Sequence, residues 1–186
     1  MALLSRLAPR WRTIGLAAAL ALAPALAFSA ATEYQIKAVF LYNFAEFVDW
    51  PAGSFPDPQA PLVIGILGDD PFGSMIDEAV KGERVSGRPI VIRRFRTASE
   101  ISGCQILFIS RSEKDRLPEI MRDIRDMSVL TVSDADGFSR AGGMIRFIME
   151  NNKVRLRINP QAAKQARLSI SSKLLRPAQI VKAGED

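Results

Sequence analysis

Leu62-Val63-Ile64-Gly65-Ile66-Leu67 is an unbroken apolar run of strand length, and Gly68-Asp69-Asp70-Pro71-Phe72 follows it at once. Alternating polarity would mark a strand with one wet face. Continuity marks a strand covered on both faces, the position of a central strand in a parallel sheet. The glycine and the two aspartates turn the chain. Asp70 is placed to cap a helix with Pro71 at its first position, and Phe72, Met75, Ile76 and Ala79 keep helical spacing beyond it. The segment therefore predicts a strand, a tight turn and a helix.

Downstream the pattern recurs. Pro89 to Phe95 reads as a strand beginning at Ile90, and Cys104 to Ser110 as a second buried one. Leu117 to Met127 follows as a helix capped near Ser112 or Asp115, and Val129-Leu130-Thr131-Val132 is the next strand. Strands alternating with helices argue for right-handed crossovers and a mostly parallel sheet. The character then changes. Met144 to Glu150, the turn Asn151-Asn152, and Lys153 to Ile158 predict a β-hairpin whose second strand alternates basic and apolar residues. One or two short helices are expected beyond Asn159-Pro160, on its dry face. The fold class is α/β, a mostly parallel central sheet flanked by helices with a C-terminal β-hairpin.

Upstream, beyond the Pro-rich connection Phe55 to Pro61, Glu33 to Trp50 reads as one helix with a very wide apolar arc that includes Ile36, Phe40, Phe44 and Phe47. Gln35, Asn43 and Glu46 fill the narrow polar strip, and Lys37 has to reach outward along its stem from the apolar side. A helix this apolar is buried on most of its circumference, in its own core or against another chain.

The first residues have the pattern of an export signal. Arg6, Arg10 and Arg12 precede an apolar stretch from Ile14 to Ala27, and Ala25-Leu26-Ala27 fits cleavage after Ala27, with Ser29-Ala30-Ala31 as a second choice. The stretch is shorter than the roughly 20 residues of a spanning helix, which disfavours an uncleaved anchor. Residues 1–27 are thus expected to be removed, leaving 28–186 as a single α/β domain exported to the periplasm. Their removal takes away three arginines and no acid, so the formal charge falls from +5 to +2. No basic run remains that could track phosphates, so nucleic acid is not expected as a partner.

Cys104 is the only cysteine, and there is no histidine, which removes the commonest general base and the commonest transition-metal ligand together. Asp69 and Asp70 lie at the carboxyl end of a central strand, where open α/β sheets place ligands, although a turn and a cap account for them more simply. Asp134 and Asp136 resemble the start of an oxygen-ligand loop without the later glutamate. Ser171-Ser172-Lys173 lacks Ser-x-x-Lys spacing because residue 170 is Ile. Cys104 has neither a base nor a second cysteine. No catalytic residue, metal site or cofactor is expected.

Several segments together resemble the YfiR-like periplasmic family of the DUF4154 type. They are Glu33 to Phe44 with Trp50-Pro51, Ile64 to Phe72, Cys104 to Ile109, Leu130 to Asp134 leading to Phe138 and Gly142-Gly143-Met144-Ile145, and Ile158-Asn159 with Ser169 to Leu175. The resemblance implies a regulator that binds the periplasmic part of an inner-membrane diguanylate cyclase and represses it, lowering cyclic-di-GMP and biofilm formation. It also implies relief of that repression by an outer-membrane lipoprotein, and a homodimer is an allowed assembly. Family members carry disulfides, which Cys104 alone cannot form within one chain. The partner-binding candidates are Tyr42, Phe44 and Phe47. The alternative from another class is a periplasmic small-molecule sensor or carrier using a cleft beside Asp69, Asp70 and Asp134. A hydrolase built on an acidic pair is a third reading, disfavoured by the missing histidine.

Overall fold

The apolar run after the Pro-rich connection is the middle of the sheet. The computed structural model describes residues 33–182 and 184–186; the expected export signal and both expected cleavage positions lie outside them. In chain order the elements are α1 (residues 33–43), β1 (Val48–Asp49), β2 (Leu62–Leu67), α2 (Ser74–Val80), β3 (Arg84–Val85), β4 (Arg88–Phe95), β5 (Ile106–Ile109), α3 (Leu117–Asp123) and β6 (Leu130–Ser133). Then come β7 (Ile145–Glu150), β8 (Lys153–Ile158), α4 (Pro160–Gln165), β9 (Ser169–Ile170), α5 (Ser172–Leu175) and β10 (Gln179–Ile180). Residues Tyr34–Asp186 make one compact unit.

The main sheet has eight strands in the order β10-β8-β7-β6-β5-β2-β4-β3, and β1 and β9 form a separate antiparallel pair. β2 is parallel to β4 on one side and to β5 on the other, with Ile64 opposite both Ile92 and Ile106. The β5–β6, β6–β7 and β8–β10 pairs are parallel too, whereas β3–β4 and β7–β8 are antiparallel. The chain runs from β2 outward to β4 and then returns past β2 to β5. The winding therefore reverses between β2 and β5, the place where doubly wound sheets open a crevice at the strands' carboxyl ends.

All six residues of β2 are buried because both faces are covered. Leu62, Ile64 and Ile66 join Ile106, Phe108, Leu130, Val132 and Phe147 under α1, α2 and α4. Val63, Leu67, Leu107 and Ile109 point the other way, into Leu117, Ile120 and Ile124. Gly65 makes room on that second side. A Cβ there would lie 2.6 Å from the Phe95 ring and 2.9 Å from Cys104 Sγ. The hairpin turn has Asn151 at φ 50° and Asn152 at φ 59°. Two successive positive φ angles match strand twist in a two-residue turn, and asparagine tolerates them.

Three expectations need correction. The helix expected over Glu33 to Trp50 ends at residue 43. A 3-10 turn, Phe44–Glu46, follows, and Val48–Asp49 becomes a strand because it pairs with Ser169–Ile170, while Ser171 N–H donates to Phe47 O at 2.8 Å. Tertiary pairing overrides helical periodicity. The helix after Pro71 starts only at Ser74; Asp70 Oδ1 accepts from Phe72 N and Gly73 N, so it caps the turn before the helix rather than the helix itself. The segment expected as one helix from Leu117 to Met127 is the short α3, preceded by a 3-10 stretch, Arg111–Arg116, whose cap is Ser110 accepting from Ser112 N.

Candidate functional site

α1 has two apolar stripes, and they face different surroundings. Ala38, Leu41 and Phe44 have no exposed surface and pack into the core, Phe44 stacking on Phe147 at a centroid distance of 5.8 Å. Ile36 and Val39 lie on the other stripe and are 43% and 44% exposed. With Phe40, Asn43, the edge of Phe44, Phe47 and, from α5, Leu174, they line a groove of about 510 Å³. The spacing 36, 39, 40, 43, 47 is one continuous helical stripe carried through the 3-10 turn. Asn43 Nδ2 donates to Val39 O at 2.8 Å. Its side chain is thereby held against the helix, and the stripe's only polar members are Asn43 and Gln35 at the groove's margin.

A buried ion pair adds to this apolar anchoring of the helix. Lys37 does not reach outward as its sequence position implies; it is 1% exposed and its Nζ donates to Asp134 Oδ2 at 2.5 Å. The ammonium also lies 4.4 Å from the centroid of the Tyr34 ring, and Tyr34 OH donates to the same Oδ2 at 2.8 Å. Arg111 Nε donates to the Asp134 carbonyl at 3.1 Å and lies 3.2 Å from Oδ1. Asp134 sits just past β6, so the pair joins α1 to the carboxyl end of the sheet. Loss of one partner of such a pair leaves an uncompensated buried charge, at a cost of about 3–5 kcal/mol.

Asp69 and Asp70 are placed differently. Asp69 is exposed, and its N–H donates to Ser112 Oγ at 3.0 Å. Asp70 Oδ2 is 2.7 Å from Arg94 Nε, and Arg94 Nη2 is 2.6 Å from Asp77 Oδ2. The Asp77 carboxylate, seconded by Asp70, holds the Arg94 guanidinium charged, above its usual range. Asp70 and Asp134 share no ion-pair partner among the described residues. At the switch point Ser112 and Glu113 approach Gly68 closely. Gly68 has φ +87°, and a Cβ there would lie 2.5 Å from Ser112 Oγ and 2.8 Å from Glu113 Cγ. Of the aromatic candidates, Phe44 is core with one edge on the groove, Phe47 is half-buried and lines it, and half-buried Tyr42 packs against the core without lining it. Ile36 and Phe40 belong to the arc read from the sequence and Val39 does not, and the exposure of Ile36 and Val39 is visible only once the buried stripe is known. Leu174 comes from the far end of the chain, and no local pattern marks it.

Cys104 is buried, with its thiol donating to Ile106 O at 2.8 Å, and burial pushes its pKa up to about 12. The reactive thiolate is therefore scarce at neutral pH. No described helix is long and apolar enough to cross a membrane.

The chain is thus a doubly wound α/β domain whose first helix holds an apolar stripe partly open to solvent. Residues 34–179 match the model of the YfiR/HmsC-like family, DUF4154, and the chain belongs to that family. It is a regulatory rather than a catalytic family. A search of curated proteins found no match to the chain.

Proposed function

We propose that this protein is a periplasmic regulator that binds the periplasmic part of an inner-membrane diguanylate cyclase and represses it, lowering cyclic-di-GMP and biofilm formation. Family membership supports a regulator in cyclic-di-GMP signalling. The observation that carries the contact is the groove on α1, with Ile36 and Val39 close to half exposed beside half-buried Phe40 and Phe47. Completing the burial of two such side chains contributes about 1 kcal/mol apiece. Repression by binding requires only that the regulator prefer one conformation of the cyclase. Moving that equilibrium from 1:99 to 99:1 takes about 5.5 kcal/mol of preference, which a few well-buried anchors in one interface reach. An outer-membrane lipoprotein that competes for the regulator would relieve the repression.

The test is recovery of partners on the tagged, exported protein from detergent-solubilised inner membrane, with cyclic-di-GMP measured in a deletion strain. Recovery of a diguanylate cyclase together with raised cyclic-di-GMP on deletion is the expected result. Unchanged cyclic-di-GMP with no cyclase recovered contradicts the proposal.

A further inference from the structure

On the opposite side of the sheet from α1 lies a second groove of about 700 Å³, between the 3-10 stretch Arg111–Arg116 with α3 on one wall and the turn over residues 136–141 on the other. We propose that it docks an acidic segment of a protein partner, at a surface separate from the α1 groove. Lys114, Arg122, Arg125 and Arg140 line it and are exposed. Lys114, Arg122 and Arg140 have no ion pair among the described residues, and Arg125 has only its exposed neighbour Asp126, at 3.4 Å. Arg116, on the same stretch, shows the contrast: it is paired with Glu113 at 3.1 Å and Glu119 at 3.6 Å, and it does not line the groove.

Two acids also line the groove, and only one is free to offset these cations. Asp136 is bound to Arg146, whose own Nη1 is 2.7 Å from Asp186 Oδ2. Asp115 remains. Four cations thus line the groove, offset only by Asp115 within it and by Asp126 beside Arg125, in a protein whose formal charge without residues 1–27 is only +2. The arrangement is local rather than a consequence of a basic chain. The floor is apolar, with Leu117 buried and Met121 half-buried. One wall is also preset, since Gly137 N donates to Asp186 Oδ2 at 2.8 Å in addition to the Asp136–Arg146 pair. A preset wall lowers the ordering cost of binding. An apolar floor between separated cations fits a chain segment that alternates carboxylates with a small apolar side chain. A flat anionic bilayer reaches the rim cations but leaves a concave apolar floor unfilled, so the observations favour the peptide.

Fluorescence anisotropy tests this with the purified protein and a labelled peptide of about ten residues, rich in Asp and Glu around a central Leu. Its Asn/Gln counterpart and vesicles of phosphatidylglycerol or phosphatidylcholine are the comparisons. The acidic peptide is expected to bind at least tenfold more tightly than the amide peptide, and binding weakens as salt rises. The exposed double substitution Arg122→Glu with Arg125→Glu reduces affinity at least tenfold, and Arg140→Glu, on the other wall, does so independently if the double variant misfolds. Val39→Glu, in the α1 groove, leaves peptide binding unchanged, so failure here is distinguishable from failure of the repressor reading. Equal binding of acidic and amide peptides, no binding of either, or charge-reversed variants that bind like the parent would overturn the proposal. Preference for phosphatidylglycerol vesicles over the peptide would overturn it in favour of a membrane surface.

Discussion

The two covered faces of the sheet share apolar anchoring and differ in what is added to it. On one face, α1 is pinned by a buried ion pair, Lys37–Asp134, and turns apolar side chains to solvent. On the other, α3 is held by apolar side chains, Leu117 and Ile120, and turns cations to solvent. The usual assignment of apolar groups to anchoring and charged groups to the surface holds for α3, whereas α1 adds a buried ion pair to its apolar anchors, Ala38 and Leu41, and leaves Ile36 and Val39 facing outward. An ion pair supplies angular definition that a smooth apolar contact does not. A helix that must keep an apolar stripe facing outward needs such a constraint, because the drive to bury apolar surface would by itself roll that stripe toward the core.

Breaking the pin is the severest test of this contrast. Asp134→Ala removes the carboxylate shared by Lys37 Nζ and Tyr34 OH and is expected to lower stability by about 3–5 kcal/mol in urea unfolding. A loss below about 1 kcal/mol would show that the pair does not pin the helix. Replacing both partners together, Lys37→Met with Asp134→Leu, should recover most of that loss while loosening α1, read as faster amide exchange in residues 33–43. On the α3 side the anchor is dispersive, so Ile120→Val should cost about 1 kcal/mol and be insensitive to salt. The smallest effects are expected at the exposed stripes. Val39→Ser and Arg122→Ala should each change stability by less than about 0.5 kcal/mol, since neither side chain is anchoring its helix. A large loss in either would make that stripe part of the fold.

Much of the sheet is legible in the sequence because continuous burial leaves a plain signature. β2 and β5 are fully buried strands and read as apolar runs, while β6 is equally buried but interleaves Thr131 and Ser133 with Leu130 and Val132. The hairpin is equally plain, from alternation in β8 and the Asn151-Asn152 turn. The two-residue strands β1, β9 and β10 are not, since each exists only through a partner far away in the chain. The end of α1 escapes a local reading for the same reason: the residues after Asn43 keep helical apolar spacing, yet Val48 and Asp49 are committed to β9. Lys37 carries a readable anomaly, a lysine within an apolar arc. Its answer, Asp134, lies 97 residues on, where the local sequence suggests only a turn or a ligand cleft. The close approach of Ser112 and Glu113 to Gly68 likewise depends on β2 and β5 being neighbours.

The repressor reading rests on the outward stripe of α1 as the cyclase contact. Titration of the purified periplasmic domain of the cyclase with the parent protein and with Val39→Glu, each first shown to unfold at the same urea concentration, measures that contact directly. At least a tenfold loss of affinity is predicted for the variant, with restoration of cyclic-di-GMP synthesis in cells that carry it. Equal affinity of the two proteins for the cyclase would contradict the assignment of α1 as the contact.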